Sequence, residues 1–307
     1  MDVAITGASG FIGAALSRSL EGDGHRVVRV VRTGSSAASG LTVRWDPAAG
    51  TIDGAGLEGL DAVVHLAGEG IASGRFTEPH LRAVKESRIR GTSLLAETLA
   101  GLVRKPRIVV SGSAVGYYGS RGDEELDEQS SPGDEFLAEL CVAWEAATRP
   151  AQDAGIPVAH IRTGIVLSPD GGALQKLLLP FKLGLGGRAG DGRQWMSWIT
   201  LADEVGALRF LIDHPIDGPV NLTAPNPATN AEMTKALGKV LHRPTVIPIP
   251  RFVAKLPLGI GPLADSLLFS GAKVHPAALA AAGYSFQDPD LADALDHLLG
   301  RRHEQAG

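Results

Sequence analysis

The feature that most constrains the fold is a glycine-rich turn near the start of the chain. Residues 3–6 form a short apolar run, and the sequence TGASGFIG brings glycines to positions 7, 10 and 13. In a strand-to-helix turn, Gly7 permits the tight bend, Gly10 lets backbone approach a phosphate, and Gly13 lets helix and strand pack closely. Such a turn predicts a dinucleotide pyrophosphate at the start of the helix. Its candidate binding residues are Thr6, Gly7, Ser9, Gly10, Phe11, Ile12 and Gly13.

The rest of the first half alternates strand-like apolar runs with segments of helical periodicity. The runs lie at 26–31, 62–66, 108–111 and 158–161, and the segments at 11–20, 78–101 and 135–154. This alternation predicts an α/β fold with a doubly wound parallel Rossmann sheet.

The second half has a different composition, with a glycine-rich stretch at 184–192, several prolines after 244 and an amphipathic segment at 291–299. We assign residues 1–168 to the nucleotide-binding domain and residues 169–197 and 225–307 to a smaller C-terminal substrate lobe. Segments within 198–224, namely Trp198–Ile199 and Val220–Leu222, are expected to return to the main sheet and complete it.

The end of the second strand separates the two nicotinamide cofactors. NAD-binding chains carry an acidic residue there, which accepts hydrogen bonds from the ribose hydroxyls. Here the strand ends at Arg32, whose guanidinium suits the 2′-phosphate of NADP, and Ser35 and Ser36 could add hydrogen bonds. Asp46, which ends a third short strand, could contact the adenine amino group or form a turn before Pro47. The sequence predicts NADP as the cofactor; the alternative for Arg32 is a solvated surface charge.

Composition narrows the class of partner. The formal net charge of −5 does not supply the basic face that nucleic acid requires, so a small-molecule substrate is expected. The single cysteine, Cys141, cannot form an intrachain disulfide, and residues 2–5 run into a strand without a signal-peptide pattern. No apolar run is long enough for a bilayer, so we expect no membrane association and a cytoplasmic location.

Further motifs follow the later strand-like runs. They are His65-Leu66-Ala67-Gly68, the segment SGSAVGYYG at 111–119, and Ala202-Asp203-Glu204-Val205. Together with the glycine turn, they resemble the extended short-chain dehydrogenases/reductases. Within that superfamily, Trp144-Glu145 and the tail at 273–286 are similar to the sugar-nucleotide-epimerase-like epimerase family proteins, which carry a C-terminal domain of unknown function. The resemblance implies further cofactor contacts from Leu66, Ala67, Gly68, Arg88, Ser111, Arg162 and Gly164.

The resemblance also implies a catalytic set of Asn, Ser or Thr, Tyr and Lys, in which the tyrosine exchanges a proton with the substrate. Ser113 matches the hydroxyl position. The asparagine position falls near Arg88, and Leu137 and Cys141 stand where tyrosine and lysine are expected. Tyr117 and Tyr118, on the loop after Ser113, are therefore candidates for the missing acid, with packing aromatics as the alternative.

Two functions of different class remain open on the sequence. The first is an NADP-dependent oxidoreductase for a small carbonyl or alcohol, with Ser113 polarising the oxygen and Tyr117 or Tyr118 exchanging the proton. The second is a noncatalytic NADP(H)-binding sensor or scaffold, which the missing tyrosine and lysine favour. A nucleotide-sugar epimerase or dehydratase is less favoured, because Met196 replaces an arginine that clamps the diphosphate in such enzymes. The helical segments at 78–101 and 135–154 resemble those that pair in homodimers of related proteins.

Overall fold

The computed structural model of the chain describes residues 1–35, 40–71, 77–246, 248 and 271–304; Ser36 and residues 249–270 lie outside them. Its strands are β1 (Asp2–Thr6), β2 (Arg26–Arg32), β3 (Leu41–Asp46), β4 (Thr51–Ile52), β5 (Ala62–His65), β6 (Ile108–Ala114), β7 (Glu125–Leu126), β8 (Val158–Thr163), β9 (Ile165–Ser168), β10 (Trp195–Met196), β11 (Trp198–Thr200), β12 (Gly218–Leu222), β13 (Ala228–Thr229) and β14 (Lys273–Val274). Its helices are α1 (Phe11–Gly22), α2 (Glu78–Ala100), α3 (Phe136–Ala146), α4 (Arg149–Asp153), α5 (Gly172–Lys182), α6 (Leu201–Asp213), α7 (Asn230–Val240), α8 (Ala277–Ala281) and α9 (Leu291–Glu304).

The central sheet has eight strands in the order β12-β8-β6-β5-β1-β2-β3-β4. All neighbours are parallel except β3 and β4. The strand order reverses between β1 and β5, and the loops after both strands leave the same carboxyl edge. In open α/β sheets a crevice for ligands forms at such a reversal. The predicted doubly wound parallel Rossmann sheet is confirmed.

The two faces of the sheet are buried against different helices. On one face, Leu16 and Leu20 of α1 and Leu208 and Leu211 of α6 pack with the strands into one apolar cluster. On the other face, Leu95 and Leu99 of α2 belong to a second cluster. Burial of both faces explains why the inner strands read as continuous apolar runs rather than alternating ones.

The structure corrects two of the predicted elements. Val220–Leu222 lies in β12 and joins the main sheet beside β8, as predicted, but Trp198–Ile199 does not. That segment is part of β11, which pairs with β9 in a separate two-stranded sheet. The predicted helix at 135–154 is divided into α3 and α4, because Pro150 in the first turn of α4 cannot donate the hydrogen bond that would continue α3.

The C-terminal residues that the structure describes are tied to the core through buried polar groups. The carboxylate of Asp203, in the first turn of α6, accepts hydrogen bonds from the Tyr284 hydroxyl at 3.2 Å and from the backbone N–H of Gln287 and Asp288 at 2.8 and 2.9 Å. The Asn221 amide, in β12, donates to the carbonyl of His275 at 2.9 Å. The tail is therefore packed as part of the same body as the sheet.

Within the described ranges, no helix is both long enough and apolar enough to cross a bilayer. In the same ranges, no group of three His, Cys, Asp or Glu side chains is arranged to hold a metal ion.

Candidate active site

The glycine turn has the geometry that its sequence predicts. Gly7 has φ +69°, a value that L side chains rarely adopt, and its carbonyl accepts a hydrogen bond from Gly10 at 2.9 Å. A Cβ at Gly13 would lie 2.2 Å from the Gly7 oxygen, so only glycine permits this packing of α1 on the turn. Gly10 at the helix start has no side chain to cap it, and within the described residues the helix start has no side-chain cap. The N-terminal N–H groups of α1 therefore remain able to bind an anion.

A buried hydrogen-bond network fixes the position of Thr6 next to this turn. Its hydroxyl accepts hydrogen bonds from the N–H groups of Leu66 and Ala67 and lies 2.7 Å from Nδ1 of His65. Since those two N–H groups occupy its lone pairs, Thr6 donates to Nδ1, and Nε2 of His65 carries the proton toward Thr92, 3.0 Å away. Burial lowers the pKa of His65 to about 4, so the ring is neutral. His65 thus links Thr6 at the end of β1 to Thr92 of α2, and Thr6 in turn fixes the start of the loop after β5.

The end of β2 carries the residues expected at the ribose of the adenosine. Arg32 is exposed, and its carbonyl accepts a hydrogen bond from the Ser35 hydroxyl at 2.6 Å. Arg44 donates to the carbonyl of Ser35 at 3.0 Å, which brings a second guanidinium to the same place. Asp46 accepts hydrogen bonds through Oδ1 from Ala48 and Ala49, as a turn former does. Arg44 is a candidate that the sequence did not single out.

The loop after β5 is held by Arg88. Its guanidinium donates to the carbonyl of Glu69 at 2.8 Å and lies 4.9 Å from the centre of the Trp144 ring. A Cβ at Gly68 would lie 3.4 Å from Arg88 atoms, so the arginine borders the carboxyl edge of the sheet. Burial lowers the pKa of Arg88. The side chain at the expected asparagine position is thus a fixed cation near the crevice.

A cluster of Ser113, Glu145 and Arg162 lies at the carboxyl ends of β6 and β8. Ser113 and Arg162 are register partners on these adjacent strands, so their side chains share one face of the sheet. The Ser113 hydroxyl donates to Oε1 of Glu145 at 2.7 Å. Arg162 donates to the same carboxylate twice, from Nε and Nη2, both at 2.9 Å. The side chains of Arg162 and Glu145 are 4% and 12% exposed, so this is a buried bidentate pair.

The two tyrosines after Ser113 have different surroundings. Tyr118 is fully buried; its hydroxyl donates to Oδ1 of Asn221 at 2.7 Å and accepts from Arg162 at 3.0 Å. Burial raises the pKa of Tyr118 to about 12. The Tyr118 hydroxyl is therefore bonded within the protein interior, and its role as a proton exchanger stays a prediction. Tyr117 is half-buried and its ring lies against the Arg162 guanidinium, 3.4 Å from the ring centre.

Helix α3 carries Leu137 and Cys141 at the positions where the resemblance places tyrosine and lysine. Leu137 and Cys141 lie on the side of the helix that faces Gly116, at 3.4 and 4.0 Å from where its Cβ would be. Burial raises the pKa of the Cys141 thiol to about 11, which opposes a reactive thiolate. The chemistry that Tyr and Lys supply in extended dehydrogenases is therefore absent from these two positions.

Comparison with known proteins identifies the family of this fold and site. The family model described as the NAD dependent epimerase/dehydratase family matches residues 3–223. The chain belongs to the NAD dependent epimerase/dehydratase family. A second model, a domain of unknown function (DUF1731), matches residues 249–298. Both halves of the predicted resemblance are thereby confirmed.

The relatives cover almost the whole chain. An epimerase family protein of Mycobacterium bovis is 43% identical, over 97% of this chain and 98% of its own length. The human epimerase family protein SDR39U1 is 37% identical, over 97% of this chain and all of its own length. A crystal structure of that human protein (isoform 2) with NADPH is 35% identical over 98% of this chain and 99% of that one, with a TM-score of 0.87. The UDP-glucose 4-epimerase of Thermus thermophilus, at 19% identity and TM-score 0.74, shares the fold.

Three residues predicted at the cofactor of this epimerase-family chain lie in packed surroundings. The hydroxyl of Ser111 is buried in a small interior cavity beside Thr92 and Thr148, with no hydrogen-bond partner among the described residues. A Cβ at Gly164 would lie 2.5 Å from the Ser197 backbone oxygen. The close packing of the two backbones therefore explains why this position is glycine. Phe11 packs its ring against Gly171 and Gly172.

Sequence reasoning missed Glu145, although a usable signal existed. Glu145 follows Leu137 by eight residues and Cys141 by four, so all three lie on one face of α3. The signal is a carboxylate one helical turn after the two positions where tyrosine and lysine are expected. The bond to Arg162 could not be read from spacing, since it depends on which strand α3 covers.

Proposed function

We propose that the chain is an NADP(H)-dependent oxidoreductase acting on a small alcohol or carbonyl compound. The observation that carries the proposal is the Ser113 hydroxyl, hydrogen-bonded to the buried Glu145 at the carboxyl edge of the sheet that also bears the glycine turn. Besides the nucleotide, hydride transfer at a carbinol carbon requires a group that exchanges a proton with the substrate oxygen. A hydroxyl that is hydrogen-bonded to a fixed carboxylate can do this. Support also comes from the NADPH in the structure of the human relative.

The residues present fit a dinucleotide phosphate cofactor. Gly7 and Gly13 form a turn that any side chain at Gly13 would obstruct, and the uncapped start of α1 suits a pyrophosphate. Arg32 and Arg44 lie side by side at the end of β2, and neither forms an ion pair with an acid in the described ranges. Two guanidiniums without an acidic partner among the described residues suit the extra phosphate that distinguishes NADP from NAD.

The chain's own residues act on the substrate oxygen, while the bound nucleotide would supply or accept the hydride. Ser113 already donates its proton to Glu145, so its oxygen is available to accept a hydrogen bond from a substrate hydroxyl. We place the Tyr117 hydroxyl as the second contact to that oxygen, because Arg162 fixes the ring of Tyr117 on the loop that follows Ser113. Tyr118 serves as the support for Arg162.

The substrate is proposed to lack a nucleotide diphosphate. In the segment expected to clamp the diphosphate, the indole N–H of Trp195 donates a hydrogen bond to Asp123, and the Lys273 ammonium lies 4.7 Å from the centre of the Trp195 ring. The next residue, Met196, pairs with Ala228 where β10 meets β13. This lining presents a tryptophan and a thioether where a sugar-nucleotide enzyme needs an arginine. A small organic substrate fits these side chains better.

A noncatalytic NADP(H) sensor is the rival function. It is favoured by the low exposure of Ser113, at 6%, and by the saturation of the Arg162 guanidinium by Glu145 and Tyr118. A cytoplasmic location and a homodimer through α2 and α3 also remain predictions. The exposed Phe136 and Val142 of α3 are side chains that a second copy could cover.

We expect the protein to bind NADPH at least about tenfold more tightly than NADH, because charge-assisted hydrogen bonds to the 2′-phosphate are strong. Arg32→Ala should remove most of that preference and leave NADH binding unchanged. Fluorescence titration with both nucleotides measures this directly. Arg18→Ala, at an exposed arginine of α1, is the matched control. Equal affinities in the unmodified protein would rule out the cofactor assignment.

Turnover should distinguish the enzyme from the sensor. A panel of small alcohols with NADP⁺, and of aldehydes, ketones and quinones with NADPH, is followed by the change in nicotinamide absorbance. Ser113→Ala should lower kcat by on the order of a hundredfold without changing nucleotide affinity. Tyr117→Phe should lower kcat more than Tyr118→Phe, since only Tyr117 is half-exposed. Tight NADPH binding with no turnover across the panel would favour the sensor.

A further inference from the structure

The carboxylate of Glu145 accepts more hydrogen bonds than an ion pair with Arg162 alone would provide. Oε1 accepts hydrogen bonds from Ser113 at 2.7 Å and from Nε of Arg162 at 2.9 Å, and Oε2 accepts from Nη2 of Arg162 at 2.9 Å. All three donors hold the carboxylate in one orientation. The position of both carboxylate oxygens is thus fixed by a hydroxyl and a guanidinium together.

The hydrogen bond from Ser113 has a direction that matters for chemistry. A hydroxyl has one proton, and Ser113 gives it to Glu145, so the lone pairs of its oxygen can only accept. The Cys141 side chain also lies within hydrogen-bond reach of Ser113. It can accept a proton from a substrate hydroxyl only if it passes its own proton on. Glu145 is the acceptor within reach.

We propose that Glu145 is the terminal proton acceptor of the site, working through Ser113, when an alcohol is oxidised. This inference rests on the proposed function. In the reaction, the substrate O–H bond breaks as its proton moves to Oγ of Ser113, while the original serine proton moves to Oε1 of Glu145. The carbinol C–H bond breaks as hydride moves to NADP⁺. The alcohol is oxidised to a carbonyl, NADP⁺ is reduced to NADPH, and the proton on Glu145 returns to solvent.

Arg162 is the positioning residue of this relay. Its Nη1 donates to the Tyr118 hydroxyl at 3.0 Å, and Tyr118 in turn donates to Asn221 at 2.7 Å. These bonds anchor the guanidinium in the core at the end opposite to the carboxylate. Arg162 thus orients the two oxygens of Glu145 without contacting the substrate.

The alternative is a purely structural ion pair, in which Ser113 merely satisfies a lone pair of a buried carboxylate. The two roles differ in what they demand of Glu145. A structural partner needs only an acceptor atom, which glutamine also provides, whereas a terminal acceptor needs a group that takes up a proton.

The kinetic test compares the unmodified protein with Glu145→Gln, Glu145→Asp and Glu139→Gln, using NADP⁺ and the alcohol panel. Glu139 is exposed on the same helix and provides the matched change of charge. Glu145→Gln should lower kcat at least about a hundredfold and abolish the acidic limb of the pH–rate profile, while NADP⁺ affinity is unchanged. Glu145→Asp should retain that limb at reduced rate. In a further variant, Glu145→Ala, added formate should partly restore turnover.

Infrared spectra provide a readout that does not depend on turnover. With NADP⁺ bound, the difference between the unmodified protein and Glu145→Gln should contain a carboxylate band at neutral pH, and Ser113→Ala should shift it. A protonated carboxyl band instead would overturn the inference. If Glu145→Gln does not fold, Ser113→Ala, which removes the intermediate hydroxyl of the relay, carries the same comparison.

The outcomes separate this inference from the function on which it rests. Failure to bind NADP(H), or no turnover by the unmodified protein, overturns the proposed function and the relay with it. Turnover that keeps its rate and its pH–rate profile in Glu145→Gln overturns the relay alone. Loss of the acidic limb in Glu145→Gln, with Glu139→Gln unaffected, supports both.

Discussion

Arg162→Met is expected to lower the free energy of unfolding by about 3–5 kcal/mol, the scale on which removing one partner of a buried ion pair destabilises proteins. The change leaves the Glu145 carboxylate almost buried with only the Ser113 hydroxyl as donor. It also removes the donor to the Tyr118 hydroxyl. Methionine keeps much of the packing volume, so the loss reports on charge and hydrogen bonding rather than on a cavity.

Chemical denaturation of four proteins measures this effect. The double variant Arg162→Met, Glu145→Gln should recover most of the loss, because its buried carboxylate is gone. The control is Arg149→Met, which breaks an exposed pair with Asp153 and should change stability by less than about 1 kcal/mol. An Arg162→Met protein as stable as Arg149→Met would contradict the description of a buried pair.

Glu204→Gln is expected to stabilise the protein at alkaline pH by several kcal/mol. Glu204 is fully buried in the first turn of α6; Oε1 accepts from Thr163 at 3.0 Å, and Oε2 has no partner among the described residues. Burial raises the pKa of Glu204 from 4.5 to about 8. The folded protein keeps the proton that the unfolded chain releases, so stability falls as pH rises from about 4.5 to 8, by about 4–5 kcal/mol in all.

The pH profile gives this prediction a distinctive shape. His65, with its folded pKa lowered from 6.5 to about 4, contributes stability that is lost as pH falls through that interval. Between about pH 4.5 and 6.5 the slopes of the two groups oppose each other, and above 6.5 only that of Glu204 remains. Urea denaturation at several pH values should show the alkaline fall in the unmodified protein but not in Glu204→Gln.

The matched control for this measurement is Glu97→Gln, at an exposed glutamate of α2. Its stability should follow that of the unmodified protein within about 0.5 kcal/mol at each pH. If Glu204→Gln shows the same alkaline fall as this control, Glu204 does not hold a proton in the folded state.

The central sheet could be predicted from the sequence because short apolar runs that alternate with helical segments are typical of parallel strands joined by helices. The run Val3–Thr6, the glycines at 7, 10 and 13, and the later apolar runs each predict one element and its neighbour along the chain. The place of Trp198 was predicted wrongly for a physical reason: an apolar strand can be buried in a small sheet, with β9, as well as in a large one. Hydrophobicity alone does not distinguish these environments.

The site was harder to predict because its bonds join residues that are distant in sequence. Ser113 was found from its motif, but Glu145 and Arg162 meet only because α3 covers β6 and β8. Tyr117 and Tyr118 are adjacent and chemically identical, and only tertiary packing turns one toward Asn221 and the other against the guanidinium face. Periodicity describes faces of single elements, whereas these contacts depend on how elements pair.

The bonds that Asp203 and Asn221 make to residues 275–288 bear on how the chain folds during synthesis. A ribosome releases a chain from its N-terminus, so the glycine turn and Ser113 emerge well before these late partners. Both Asp203 and Asn221 are fully buried in the finished protein. Until residues 275–288 are made, the Asp203 carboxylate lacks three of its donors and the Asn221 amide N–H lacks its acceptor, and unpaired buried polar groups are costly. A nascent chain arrested before residue 275 should therefore be held in a loosened state, sensitive to protease and dependent on chaperones, even though its whole central sheet has been made.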